Sequence, residues 1–217
     1  MKIILKVAIS LRLSFFIVFS QSAYSQTAAI LKELDTAGIT FIKIHFLHGS
    51  KPAKCCKKTE GKWFGGIHGG HVYMQAGNEM FSFLPLGNWH IFAHKKDIGG
   101  GFFTETEEQW RSDTAADRYT TIEIPLSKQQ TAEYAEIRKQ YLKSSPYDYA
   151  FFGMWCASAA YEVLSHLDIV KPRSNFSNVR KNFYPKKLRK KLLRLARKNN
   201  WTVIRKQGRV SRKWERE

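Results

Sequence analysis

The chain is short of cysteine, of acidic residues and of long apolar runs, and each shortage excludes something. Three cysteines in 217 residues cannot build a disulfide framework, and their positions at 55, 56 and 156 match no zinc-ligand spacing. Lys+Arg number 36 against 18 Asp+Glu, a formal charge of +18. The imbalance is local: from Lys171 onward only Glu215 and Glu217 oppose the basic residues, and this segment carries +16 of the total. No apolar run reaches the roughly 20 residues of a membrane-spanning helix. Internal repeats and nucleic-acid motifs are absent, so no nucleic acid is expected as a partner.

What is present suits a single domain with a real core. Hydrophobic residues make up 43% and aromatics 14%, too much for a disordered chain. Lys2, Lys6 and Arg12 precede a short apolar run at residues 13–19, and Ala23-Tyr24-Ser25 sets small residues at the minus-three and minus-one positions of a cut before Gln26. This is the layout of a secretory signal peptide over residues 1–25. The expected product is exported, periplasmic or extracellular, and soluble once cleaved near Ser25/Gln26. In such a compartment free thiols tend to be paired or functional. For the adjacent Cys55 and Cys56, a strained bond between neighbours, a loop role and pairing elsewhere all stay open.

Residues 27–35 read as a short helix. Alternation over residues 39–46 (ITFIKIHF) and 120–126 (TTIEIPL) predicts strands, and two more flank Ala76-Gly77-Asn78-Glu79 as a hairpin. Residues 89–94 suggest a further strand, and Gly99-Gly100-Gly101 opens a polar connection to about Arg118. Ser127 with Gln130 is a capping box that starts an amphipathic helix running to about Lys143. Residues 144–153 read as a loop, and residues 156–166 as a mostly apolar helix. In the basic segment, Pro185 starts a helix with Leu188, Leu192 and Leu195 on one stripe, followed by a strand-like WTVI from Trp201. The order predicts an α+β fold around an antiparallel sheet.

Cys156 opens its helix directly after an aromatic loop, Tyr147 to Gly153. The helix N-terminus favours an anion, which lowers a thiol pKa, and its N–H groups can hold an oxyanion. A nucleophile here needs a base. His71, beginning a strand after Gly65-Gly66 and Gly69-Gly70, is the leading candidate. His68 and His71, with His90 or His94, form a rival HxxH metal group, but no carboxylate or cysteine pair completes it; no metal and no cofactor are expected.

The segments GGHVYMQAG and YDYAFFGMWCASAAYEVL resemble the permuted branch of the NlpC-type cysteine peptidases. This is the circularly rearranged papain-like group that includes relatives of lecithin:retinol acyltransferase and YiiX-like envelope proteins. The resemblance spans about residues 71–164. It implies a papain-like fold in which an antiparallel sheet packs against a cysteine-bearing helix, with Cys156 as nucleophile and His71 as base. Tyr147 or Tyr149, with Trp155, would shape the oxyanion and substrate pocket. The residue that orients the histidine should come from the next strand, where Ser82 is nearest, with Glu79 and His90 as alternatives. The chain departs from the family in reading Trp155-Cys156-Ala157 where Asp-Cys-Ser or Asn-Cys is common.

The expected organisation is a signal peptide at 1–25, a permuted papain-like domain at 26–170 and a basic extension at 171–217, packed on the domain or appended to it. The expected function is that of an exported cysteine hydrolase cleaving an amide, such as a cell-wall (peptidoglycan) peptide, or an ester. Its rivals are a lipid-directed thiol acyltransferase or hydrolase acting on acyl substrates, and a non-catalytic envelope protein. Residues 186–198 offer cations to an anionic envelope surface. Oligomeric state is not legible.

Overall fold

The computed structural model describes residues 41–56, 69–87, 90–94 and 98–217; the signal peptide, the helix at 27–35, His68 and Trp89 lie outside the described residues. The fold is α+β, built on a six-stranded sheet. Its strands are β1 (Phe41–Leu47), β3 (His71–Ala76), β4 (Glu79–Pro85), β6 (Gly100–Thr106), β7 (Tyr119–Pro125) and β9 (Thr202–Lys206). Their order is β6-β4-β3-β1-β7-β9, and every pairing is antiparallel. Two small ribbons stand beside it: β2 (Ser50–Pro52) with β10 (Arg212–Trp214), and β5 (His90–Phe92) with β8 (Ala150–Phe152), the latter parallel.

Alternation gives the sheet two faces. Ile42, Ile44 and Phe46 of β1, Val72 and Met74 of β3, Phe81 and Phe83 of β4, and Ile122 and Ile124 of β7 form one buried face. Against it pack α2 (Lys128–Lys143), α3 (Cys156–His166) and α5 (Pro185–Asn199). The other face is covered by α1 (Glu107–Asp113). Its buried Trp110 lies on His45, ring centroids 4.5 Å apart, and on Tyr119 at 5.0 Å.

The hairpin, the Ser127 helix and the Cys156 helix form as the sequence predicts, and Gly77 takes a positive φ of 63° in the turn. In α2 both halves of the capping box are made: Gln130 N–H donates to Ser127 Oγ at 3.2 Å, and Ser127 N–H to Gln130 Oε1 at 2.9 Å. The predicted polar connection is corrected. Its first half is the edge strand β6, and its second is α1, capped by Thr106 Oγ1 accepting from Gln109 N–H at 3.2 Å. No alternation marks β6 because Gly100 and Gly101 open it and Phe102 and Phe103 follow as adjacent aromatics, of which only Phe102 joins the core. A Cβ on Gly100 would lie 2.5 Å from the Tyr149 Cβ, so only glycine admits this approach.

The expected loop at 144–153 contains β8, and the strand expected at 89–94 is described at His90–Phe92 alone. The basic segment is woven into the sheet. Between α3 and α5 it adds a further helix, α4 (Asn175–Asn182). Leu188 and Leu192 are fully buried, β9 extends the main sheet beyond β7, and β10 pairs with β2. Among the described residues no helix is long and apolar enough to cross a membrane.

Candidate active site

Cys156 is the first residue of α3, after Trp155 in extended conformation (φ −128°, ψ 169°). Ser158 Oγ ties this start together, accepting from Trp155 N–H at 2.8 Å and donating to the Trp155 carbonyl at 3.0 Å. The thiol is buried in the core. Three backbone N–H groups are directed at it, those of Val72, Ala157 and Cys156 itself. Two come from the helix terminus and one from β3, so strand and helix both present donors to the sulfur. These donors lower the thiol pKa as the sequence predicts, but burial outweighs them and pushes it up to about 12. The resting sulfur is a neutral thiol. The correction has a plain cause: the local helix field acts within one turn, whereas desolvation is imposed by the whole surrounding core.

His71 opens β3, one residue before Val72. Gly70 precedes it with φ +79°, and a Cβ there would collide with the Leu47 carbonyl and lie 2.9 Å from Gly49 N. This glycine therefore serves close backbone packing against the end of β1. The imidazole rests edge-on to Tyr73, centroids 4.7 Å apart. Its Nε2 is buried without a hydrogen-bond partner, and burial pushes its pKa down to about 4. No hydrogen bond joins His71 to Cys156: the neighbouring Val72 presents its N–H to the sulfur and its side chain to the same core, while alternation turns His71 to the face that carries Tyr73. Burial raises the pKa values of the Tyr73 and Tyr149 phenols, and ionisation of Cys156 would oppose theirs, which sets both rings near the sulfur.

Ser82 is buried on β4, on the face that carries His71 and Tyr73. Ladder pairing between β3 and β4 covers only Met74–Ala76 with Glu79–Phe81, so the strands part before they reach His71 and Ser82. No bond links these two. Glu79 pairs with Arg138 of α2 instead. Tyr147 packs edge-on to Phe83 at 5.2 Å, Tyr149 lies 5.2 Å from both Phe83 and Trp155, and Trp155 lies 4.6 Å from Phe183. Together they form an aromatic wall beside the start of α3.

Asp148, between the two tyrosines, was not among the sequence candidates. Its carboxylate is fully buried and accepts from His90 Nδ1 at 2.7 Å, His94 N–H at 2.9 Å and Gly99 N–H at 2.6 Å. Burial alone would raise its pKa; the His94, His90 and Gly99 hydrogen bonds outweigh it and hold the pKa below the usual range. His90 stacks on His94 at 4.2 Å. His90 thus has the carboxylate that orients an imidazole, on the strand paired with β8 just upstream of Cys156. A buried acid between aromatic residues was the only sequence signal. Among the described residues no group of three or more His, Cys, Asp or Glu is arranged to hold a metal ion.

Comparison of the chain with family models, with curated proteins and with solved structures finds no match.

Proposed function

We propose that this chain is an exported thiol hydrolase with a permuted papain-like arrangement, in which Cys156 is the nucleophile and His71 the base. The observation that carries the reading is the convergence of the Val72, Ala157 and Cys156 N–H groups on the Cys156 sulfur. Donors aimed at that point can also stabilise an oxyanion on an acyl carbon bonded to sulfur. The chain order supports it as well, with the histidine strand β3 before the cysteine helix α3.

The resting pair is thiol and neutral imidazole, since the thiol pKa lies far above that of His71. The mechanism is therefore general-base attack. His71 Nε2 takes the thiol proton as sulfur adds to the carbonyl carbon of an amide or ester. The N–H groups hold the oxyanion, the imidazolium returns the proton to the leaving group, and water releases the acyl group from sulfur. A cell-wall peptide amide is the substrate proposed first.

A lipid-directed reading draws on one further observation. Ile91, Phe92 and Phe152 are 65%, 66% and 62% exposed beside the aromatic wall, with Phe92 stacked on Phe152 at 5.4 Å. An apolar ridge next to a thiol suits an acyl chain. For residues 186–198, an anionic surface would be met by the outward Lys187, Lys190, Arg194 and Arg197, because the leucine stripe is occupied by the core.

Hydrolysis of muropeptides and of long-chain acyl esters tests both readings. Cys156→Ala and His71→Ala are each expected to lower turnover by about a hundredfold or more while circular dichroism stays unchanged. Activity against acid should fall with a midpoint near pH 4, where His71 takes a proton, and stay flat from there through neutral pH. Wild-type turnover in Cys156→Ala sinks the enzyme reading and leaves a binding protein. If His90→Ala abolishes turnover while His71→Ala does not, the base is His90.

A further inference from the structure

The geometry points to a second thiol site: Cys55 and Cys56 form a redox-reversible vicinal dithiol, which closes to a disulfide by exchange with an anionic low-molecular-weight disulfide. The two sulfurs lie 2.8 Å apart, about 0.8 Å beyond a covalent S–S bond. They sit on a 3-10 turn, Lys54–Cys56, with Cys55 exposed and Cys56 half-buried. The turn is anchored. Ala53 N–H donates to the Ser211 carbonyl at 2.7 Å, Cys56 N–H to the Ala53 carbonyl at 3.0 Å, and the preceding strand β2 is held by β10. Little chain freedom is left to lose when the sulfurs join.

The third cysteine is buried in the core and is free of any disulfide. Exposed Lys51 and Lys54 flank the pair, a local field that favours an anionic oxidant such as oxidised glutathione.

The bond would be labile. Adjacent Cα atoms are about 3.8 Å apart, below the roughly 4.4–6.8 Å of ordinary disulfides. A ring closed at that separation is strained, and strained exposed disulfides are the readily reduced ones. The exchange balances in two steps. One cysteine sulfur attacks the oxidant, forming a mixed disulfide and releasing one small thiol. The neighbouring sulfur then displaces the second small thiol. Two electrons pass to the oxidant, and the two cysteine protons leave with its thiols.

The test exposes the folded full-length protein to oxidised glutathione, quenches with N-ethylmaleimide and analyses the peptide spanning 55–56 by mass spectrometry. The expected wild-type product has lost two hydrogens, carries no glutathione, and reverts on adding reduced glutathione. Cys55→Ser and Cys56→Ser should each hold a persistent glutathione adduct. Phenylarsine oxide, which bridges two thiols, should bind wild type one-to-one at this peptide and neither variant. Stable glutathione adducts on wild type, disulfide-linked dimers, or failure of phenylarsine oxide to bind wild type at this peptide would each overturn the proposal. Reading the peptide itself keeps the result separate from Cys156 chemistry.

Discussion

Two buried imidazoles on β1 and just beyond it link single residues to the acid stability of the fold. His45 Nε2 donates to Gln75 Oε1 and its Nδ1 accepts from Thr121 Oγ1, both at 2.8 Å; His48 Nε2 pairs with Thr120 Oγ1 at 2.8 Å. Burial pushes both pKa values down to about 4, assisted at His48 by Arg189 and Arg118. A histidine with a depressed folded-state pKa is protonated first in the unfolded chain. Stability is therefore lost as pH falls from about 6.5 to 4, and each of these residues costs about 2 kcal/mol by pH 5. Glu162 opposes them, because burial raises its pKa to about 7 and protonation then favours the folded state over the same window. Urea denaturation at pH 7 and pH 5 isolates one contribution: His45→Gln should shrink the stability lost between those pH values by about 2 kcal/mol. An unchanged difference would show that His45 titrates normally.

At the level of elements, local signals were the legible ones. The capping box at Ser127 and Gln130 marks where α2 begins, and its stripe carries the helix to Lys143. Ser127→Ala removes the oxygen that accepts the Gln130 N–H and should cost about 1 kcal/mol, read as a lowered urea midpoint at constant slope. The α3 boundaries were equally plain, because mostly small and apolar residues run from Cys156 to Ser165, broken only by Glu162. The strand β6 was not legible. Its glycines look like linker, and what makes it a strand is the ladder from β4 together with the close approach of Tyr149. The helix α1 was missed because only Trp110 of its seven residues is buried; its reason to form is the ring cluster of His45, Tyr73 and Tyr119 beneath it.

Across the whole molecule, the basic segment decides how the protein holds together. Removing residues 171–217 would strip β9 from β7, β10 from β2, and Leu188, Leu192 and Ala196 from the core. It would also take away Glu215, which accepts from Gly49 N–H at 3.1 Å. A chain ending at Val170 is expected to lose cooperative unfolding, checked by thermal circular dichroism. A sharp transition near the wild-type midpoint would make the segment an appendage after all.

Helix starts, strand alternation and the placing of Cys156 at a helix N-terminus were determined by the sequence alone, because each depends on residues within a turn or two of one another. Tertiary structure decided the rest of the site. It turned a field that favours thiolate into a buried neutral thiol, set Val72 N–H against that sulfur from a strand far back in the chain, and joined Asp148 to His90 across 58 residues. Desolvation and long-range hydrogen bonds depend on which distant atoms arrive, and no local pattern of residues records that.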